Sequence, residues 1–317
     1  MHTPRPILIA GPTASGKSGL ALALAERLGG TVINADSMQV YRELRLITAR
    51  PSAADEARAP HTLYGHVGGA EAYSAGRYAG EAATAINEAQ AAGRVPVIVG
   101  GTGLYFKALL EGLSPIPAAD PEARAFWRAE AARRPAPELH DLLKRRDPEM
   151  AARLKPTDPQ RIVRALEVLD STGRSLADWQ REPGRPLLAA AETVRLLVLP
   201  DREGHGALID TRFEAMLAGG ALTEVRQLMA QGLSTELPVM RALGVAPLAA
   251  HLQGTLSLDE AAATAKSDTR KYAKRQRTWL RRNMISWGVV ESQYMERFMR
   301  DEFPFLLPRV DQASRTR

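Results

Sequence analysis

The 317-residue sequence predicts an α/β protein, a parallel sheet flanked by helices and broken by an all-helical insertion. Three observations predict it. Short apolar runs alternate with helix-spaced segments through residue 112, the order of a sheet covered on both faces. A glycine-rich turn joins the first such run to the first such helix. Beyond residue 112 no strand-like run appears until residue 193, and three Asp-Pro pairs mark helix starts in between.

Taken in order, residues 5–10 (RPILIA) are a buried strand, an apolar run stopped by Gly11-Pro12. Residues 16–28 form a helix with Leu20, Leu24 and Leu28 on one face, ended by Gly29-Gly30. Residues 31–36 (TVINAD) are a second strand. A helix over 81–92 closes at Gly93, and residues 94–101 (RVPVIVGG) make a third strand feeding a helix from Thr102. At Asp120-Pro121, Asp147-Pro148 and Asp158-Pro159 a carboxylate cap precedes a proline at the first helical position. The carboxylate accepts orphan N–H groups, and proline lacks the N–H that would go unpaired. Residues 193–199 (TVRLLVL) return to strand, and the chain is then helical to about Trp287. A strand on each side of the helical block predicts one interrupted core. Its first part is 1–112, the insertion 113–190, the second part 191–300 with a basic helix, and 301–317 a tail.

Composition narrows the function classes. Zero cysteine excludes a disulfide framework, any Cys-ligated zinc or iron–sulfur site, and a cysteine nucleophile. Apolar runs such as residues 6–10 and 95–99 fall far short of the roughly 20 residues of a spanning helix. We expect no membrane partner, no signal peptide and a cytoplasmic location. The net charge of +6 is concentrated, because residues 266–282 hold eight basic residues and one acid, Asp268. Such a patch points to a polyanionic partner.

The residues that carry chemistry begin with Gly11-Pro12-Thr13-Ala14-Ser15-Gly16-Lys17-Ser18, which fits G-x-x-x-x-G-K-[ST] between a strand and a helix. This context gives a P-loop NTPase-like fold. Backbone N–H groups and the helix dipole face phosphate oxygens, Lys17 adds a point charge, and the Ser18 hydroxyl suits Mg²⁺. The motif does not say which bond breaks. Asp36 ends the second strand at the edge where open parallel sheets place ligands. A metal ligand, a general base and a simple cap are all open to it. Thr102, in GGTGLY, is either a helix cap or a hydroxyl for the phosphates or the reacting group. Arg161 and Arg164 lie one turn apart on one face, and Arg212 shares a helix with Phe213 and Met216. In residues 269–282 (TRKYAKRQRTWLRR) Tyr272 and Trp279 share a face expected to pack inward.

Together these segments resemble the tRNA dimethylallyltransferase (tRNA isopentenyltransferase) family. The motifs that carry the resemblance run in chain order: GPTASGKS at 11–18, NADSMQVY at 34–41, GGTGLYFKALLEGL at 100–113, DPQRIVRALEV at 158–168, RFEAML at 212–217 and TRKYAKRQRTWLR at 269–281. The resemblance implies transfer of a dimethylallyl group from dimethylallyl diphosphate to N6 of the tRNA adenosine 3′-adjacent to the anticodon. It implies Asp36 as the base, Thr102 at the reaction channel, and Lys17, Ser18, Arg212 and Mg²⁺ on the diphosphate. For tRNA it implies Asp36, Ser37, Met38, Gln39, Thr102, Arg124, Gln160, Arg161, Ile162, Val163, Arg164 and the segment 241–245 with Arg241. Lys274, Arg275 and Arg277 of the basic helix join them, and we expect a monomer.

The sequence departs from the family at Ile47, commonly Gly, at Val245-Ala246-Pro247, commonly Tyr-Lys/Arg-Glu, and at Leu208, commonly Arg. Other readings of the same residues are an adenylate isopentenyltransferase, a P-loop kinase or NTPase, and an RNA-binding regulator that uses the loop as a nucleotide sensor. The helical insertion and basic helix favour an RNA acceptor.

Overall fold

The computed structural model describes residues 4–302, so most of the expected 301–317 tail lies outside the described residues. The chain divides into two compact units, one of Met1–Leu109 with Leu188–Arg317 and one of Leu110–Leu187.

In the first unit six strands, β1 (Ile7–Ala10), β2 (Thr31–Asn34), β3 (His61–Thr62), β4 (Pro96–Gly100), β5 (Val194–Leu199) and β6 (Gly288–Glu291), form one parallel sheet in the order β3-β2-β4-β1-β5-β6. β1 is central, with Ile7 paired to Val97 on one side and to Val194 on the other. All four residues of β1 are buried, as a strand covered on both faces requires. The α/β class read from the sequence is therefore the fold. β3 and β6 were not anticipated: two residues carry no period, and edge strand β6 buries only Val290.

Helices α1 (Lys17–Leu28), α2 (Ala53–Arg58), α3 (Ala75–Ala91) and α4 (Gly103–Leu110) belong to the first segment. Leu20 and Leu24 of α1 join Ile7, Ile9, Val97 and Val198 in one buried cluster, each such leucine contributing about 1.5–3 kcal/mol. Gly100 lies so close to the β2 end that an added Cβ would stand 2.0 Å from the Ala35 carbonyl oxygen. Backbone meets backbone there, so Gly100→Ala is expected to leave the protein insoluble or to lower Tm by 10 °C or more; a Tm within about 2 °C of the parent, below the 2–4 °C that 1 kcal/mol shifts a domain of this size, would refute the close approach.

The second unit is helical: α5 (Pro121–Arg133), α6 (Ala136–Arg146), α7 (Pro148–Arg153), α8 (Pro159–Thr172) and α9 (Leu176–Trp179). The Asp120, Asp147 and Asp158 carboxylates accept from the N–H groups of Glu122, Met150 and Arg161, the caps that the Asp-Pro pairs predict. Trp127, Leu139, Leu143, Ile162, Val163 and Leu166 fill its core. This narrows one expectation: the Ile162 and Val163 side chains are buried in the core of this unit rather than presented at its surface. Alternation around a helix put them inward and Gln160 and Arg161 outward.

The chain returns through β5 to α10 (His205–Ala218), α11 (Ala221–Ala230), α12 (Val245–Leu252) and α13 (Leu258–Asn283). A capping box of Ser257 and Glu260 starts the 26-residue α13. Tyr41, Leu44, Phe213, Val225, Val245 and Leu248 build a further core among these helices. Val245, one of the departures from the family motif, is thus a core residue of this cluster. No helix among the described residues is long and apolar enough to cross a membrane.

Candidate active site

The loops after β1, β2, β4 and β5 meet at the carboxyl edge of the sheet, where open α/β sheets bind ligands. The first is the glycine-rich turn. Gly16 turns into α1 at φ +81°, and Ala14 sits at φ +58°, a left-handed conformation that side-chain-bearing residues rarely adopt. Among the described residues no protein acceptor meets the N–H groups of residues 14–18. Amides that face no carbonyl, at the N-terminus of a 12-residue helix, are suited to phosphate oxygens. Ser15 Oγ is buried with no protein partner in the same turn. Lys17 donates from Nζ to the Pro12 carbonyl at 3.2 Å.

Thr13 is held from three directions. Its N–H donates to Gln276 Oε1 of α13 at 2.9 Å, its carbonyl lies 2.8 Å from His205 Nε2 of α10, and its hydroxyl accepts from Arg212, also of α10. Gln276 donates in turn to the Gly101 carbonyl at 3.0 Å, tying the ends of β1 and β4 through one buried amide.

Asp36 follows β2. Its N–H donates to Asn34 Oδ1 at 2.8 Å, and its own Oδ1 accepts from the Met38 N–H at 3.0 Å. One carboxylate oxygen therefore closes a turn rather than capping a helix, and Oδ2 is left for other work. Thr102 Oγ1 accepts from the Ser37 N–H at 3.0 Å and donates to Ser37 Oγ at 3.3 Å, so it fixes the segment beside Asp36.

The electrostatics follow from burial. Lys17 is pushed down to about 8 by desolvation, with Asp36 opposing and Arg212 adding to the fall. Arg212 is held below its usual value by burial, again opposed by Asp36. Burial lowers His205 too; its bond to Thr13 opposes this, while Arg277, Arg212 and Lys17 add to it. Two half-buried cations, desolvated by their surroundings and beside one carboxylate, form a site that gains from an added anion.

A cleft of about 410 Å³ opens over this group, its walls including Thr13, Asp36, Arg212, Arg241, Tyr272 and Arg275. Tyr272 was expected in the core; it instead lines the cleft, and Asp36 reinforces the upward push that burial gives its phenol. Met38 and Ser37 line the same cleft, whereas Gln39 Nε2 is spent on the Thr48 and Ala49 carbonyls. Through that nitrogen Gln39 is a loop brace, a role the sequence did not suggest. Arg277 is on another face of α13 and shares a separate cleft with Arg202 and Arg281. Arg124 is exposed, Arg161 faces Asp158 at 3.5 Å and Arg164 faces Glu167 at 3.5 Å.

Sequence reasoning missed Gln276 and His205. Gln276 left one signal, a neutral amide within a run of cations; His205 left none.

The chain matches the family model described as IPP transferase over residues 39–283 and the isopentenyl transferase model over residues 5–61. It is 53% identical to a tRNA dimethylallyltransferase of Parvibaculum lavamentivorans, over 92% of each chain. It is 55% identical to one of Methylocella silvestris, over 92% of this chain and 96% of that one. Among solved structures it resembles a tRNA isopentenylpyrophosphate transferase of Bacillus halodurans at TM-score 0.69 and 31% identity, over 98% of both chains. It also resembles a eukaryotic dimethylallyltransferase acting on tRNA, at TM-score 0.82 and 26% identity, over 99% of this chain and 80% of that one.

Proposed function

The chain belongs to the IPP transferase family, the tRNA dimethylallyltransferases, and from that membership we propose how its residues divide the work. The enzyme transfers a dimethylallyl group from dimethylallyl diphosphate to N6 of the adenosine 3′-adjacent to the anticodon in tRNA, releasing diphosphate. One observation carries the assignment of roles: Asp36 and Arg212 line a cleft together with Tyr272 and Arg275 of the basic helix, and Lys17 is near enough to feel the charge of both Asp36 and Arg212.

The diphosphate lies on the N–H groups of residues 14–18, with Lys17 and Arg212 taking the charge that grows as the allylic C–O bond breaks. Preorganised donors at a developing charge supply the largest share of rate. The N6 lone pair forms the new bond to the allylic carbon, the C–O electron pair leaves with diphosphate, and the amine proton passes to Asp36 Oδ2. An exocyclic amine is a poor nucleophile, so removing its proton as the bond forms matters. Thr102 and Ser37 keep that carboxylate segment in place. The adenine, taken out of its stack, enters beside Tyr272.

Among the described residues no group of three His, Asp or Glu side chains forms a metal cage. Mg²⁺ with few protein ligands fits this donor set: Ser18 Oγ would hold it beside the phosphates, where it would neutralise diphosphate charge. Arg241 and Arg275 at the cleft, and the exposed Arg124, Gln160 and Arg161 with the half-buried Arg164 of the helical unit, would hold the anticodon stem-loop, with a monomer as the acting species.

The test is incubation with Mg²⁺, radiolabelled dimethylallyl diphosphate and undermodified tRNA. Label in tRNA at the adenosine is expected; release of γ-phosphate from ATP with unlabelled tRNA would overturn the reading. The faces of α13 give a second test. Lys274 and Arg277, three residues apart, share a face that turns away from Arg275. Arg275→Gln is expected to lower the salt slope of tRNA binding by about one, while the Lys274→Gln, Arg277→Gln double variant leaves it in place. The opposite pattern would move the RNA to the other face.

A further inference from the structure

We infer that His205 is a positioning residue for the diphosphate-binding turn: by holding the Thr13 carbonyl outward, its Nε2–H aims the Ala14 N–H at the diphosphate. The inference rests on the reading of this turn as the diphosphate site. A carbonyl oxygen only accepts, so at 2.8 Å the nitrogen facing it must carry the proton. The peptide between Thr13 and Ala14 is planar and trans, so its C=O and N–H point in opposite directions. Whatever fixes the carbonyl fixes the amide.

The neighbouring peptide is pinned in the same manner. There the Pro12 carbonyl accepts from Lys17 at 3.2 Å, while the Thr13 N–H donates to Gln276 at 2.9 Å. The Thr13–Ala14 peptide needs a restraint of its own, because Ala14 at φ +58° is in a conformation that an L residue leaves readily. If that peptide flipped, a carbonyl would face the phosphates in place of an N–H. His205 is built to prevent this: it is 7% exposed, it opens α10, and Asp201 Oδ2 braces the turn before it by accepting from the Glu203 and Gly204 N–H groups at 3.1 Å. α10 also carries Arg212, so one helix supplies both a cation for the diphosphate and the restraint on the amide beside it.

Three variants test this. His205→Leu removes the donor, His205→Asn keeps a polar group too short to reach, and His205→Gln keeps an N–H at the reach of Nε2. Loss of the donor is expected to raise both the KM for dimethylallyl diphosphate and the inhibition constant of inorganic diphosphate about 10-fold, with the KM for tRNA unchanged. His205→Gln is expected to recover both to within about threefold, and His205→Asn to match the leucine variant. Should the leucine variant fail to fold, the Asn and Gln pair carries the comparison alone. Unchanged constants in the Leu and Asn variants, or a Gln variant as impaired as they are, would overturn the inference. Lys17→Met is the control on its premise. If that variant also leaves the diphosphate inhibition constant unchanged, the assignment of the turn to diphosphate fails, rather than the role of His205.

Discussion

Asp36→Asn is expected to lower kcat by at least about 100-fold, the scale of a lost general base, while tRNA affinity stays within about twofold. The asparagine Oδ1 still accepts from the Met38 N–H, so the turn that Asp36 closes is kept. What disappears is a negative charge beside Lys17 and Arg212, whose charged forms Asp36 supports. Removing an anion from the proposed diphosphate site would weaken repulsion toward the substrate. The KM for dimethylallyl diphosphate is therefore expected to hold or fall. This sign separates two roles. A fall in kcat with unchanged or lower KM marks a base; a rise in KM would mean that Asp36 serves to arrange the cations, and an unchanged kcat would remove it from the chemistry. Initial rates with each substrate varied in turn give all three quantities.

Arg212→Gln is expected to lower kcat/KM for dimethylallyl diphosphate by about 100- to 1,000-fold, or ~2.7–4 kcal/mol, the range for losing one preorganised donor to developing charge. Arg212 is half-buried and desolvated by its surroundings, touches the Thr13 hydroxyl and stands near Asp36, so its charge would meet the substrate with little water between. Lysine restores the charge without the planar fork, so Arg212→Lys is expected to fall between the parent and the Gln variant. The departure at Leu208 fits this weight on Arg212. Leu208 lies one turn before it on α10 and is 52% exposed, so no second cation of that helix shares the load there. If Arg212→Gln keeps kcat/KM within a few-fold of the parent, the leaving charge is carried by Lys17 and the amides instead.

The basic helix shows how far pattern reasoning reaches. Its helical period and its excess of cations are plain in the sequence, because both are counts along the chain. Which of those cations face the cleft is not a count. Arg275 does and Arg277 does not, and Tyr272 lines a cleft rather than a core, because the face a helix turns inward is set by what packs against it. The same limit explains Gln39, Ile162 and Val163. Each lies in a segment tied to RNA by its motif, yet a loop brace and a helical core claim their side chains.

By itself the sequence determined the parallel α/β core, the glycine-rich turn between β1 and α1, the three Asp-Pro helix starts and the family, since all of these rest on local spacing. A strand–turn–helix with G-x-x-x-x-G-K-S, or a carboxylate ahead of a proline, acts over a few neighbouring residues and is written in their order. Only the tertiary structure decided that Thr13, Gln276, His205 and Arg212 form one assembly. Those contacts span 192 to 263 residues of chain, and no local preference encodes them. The physical reason is that a hydrogen bond needs its partners within about 3 Å, a condition that the sheet order and the packing of α10 and α13 impose after the local elements have formed.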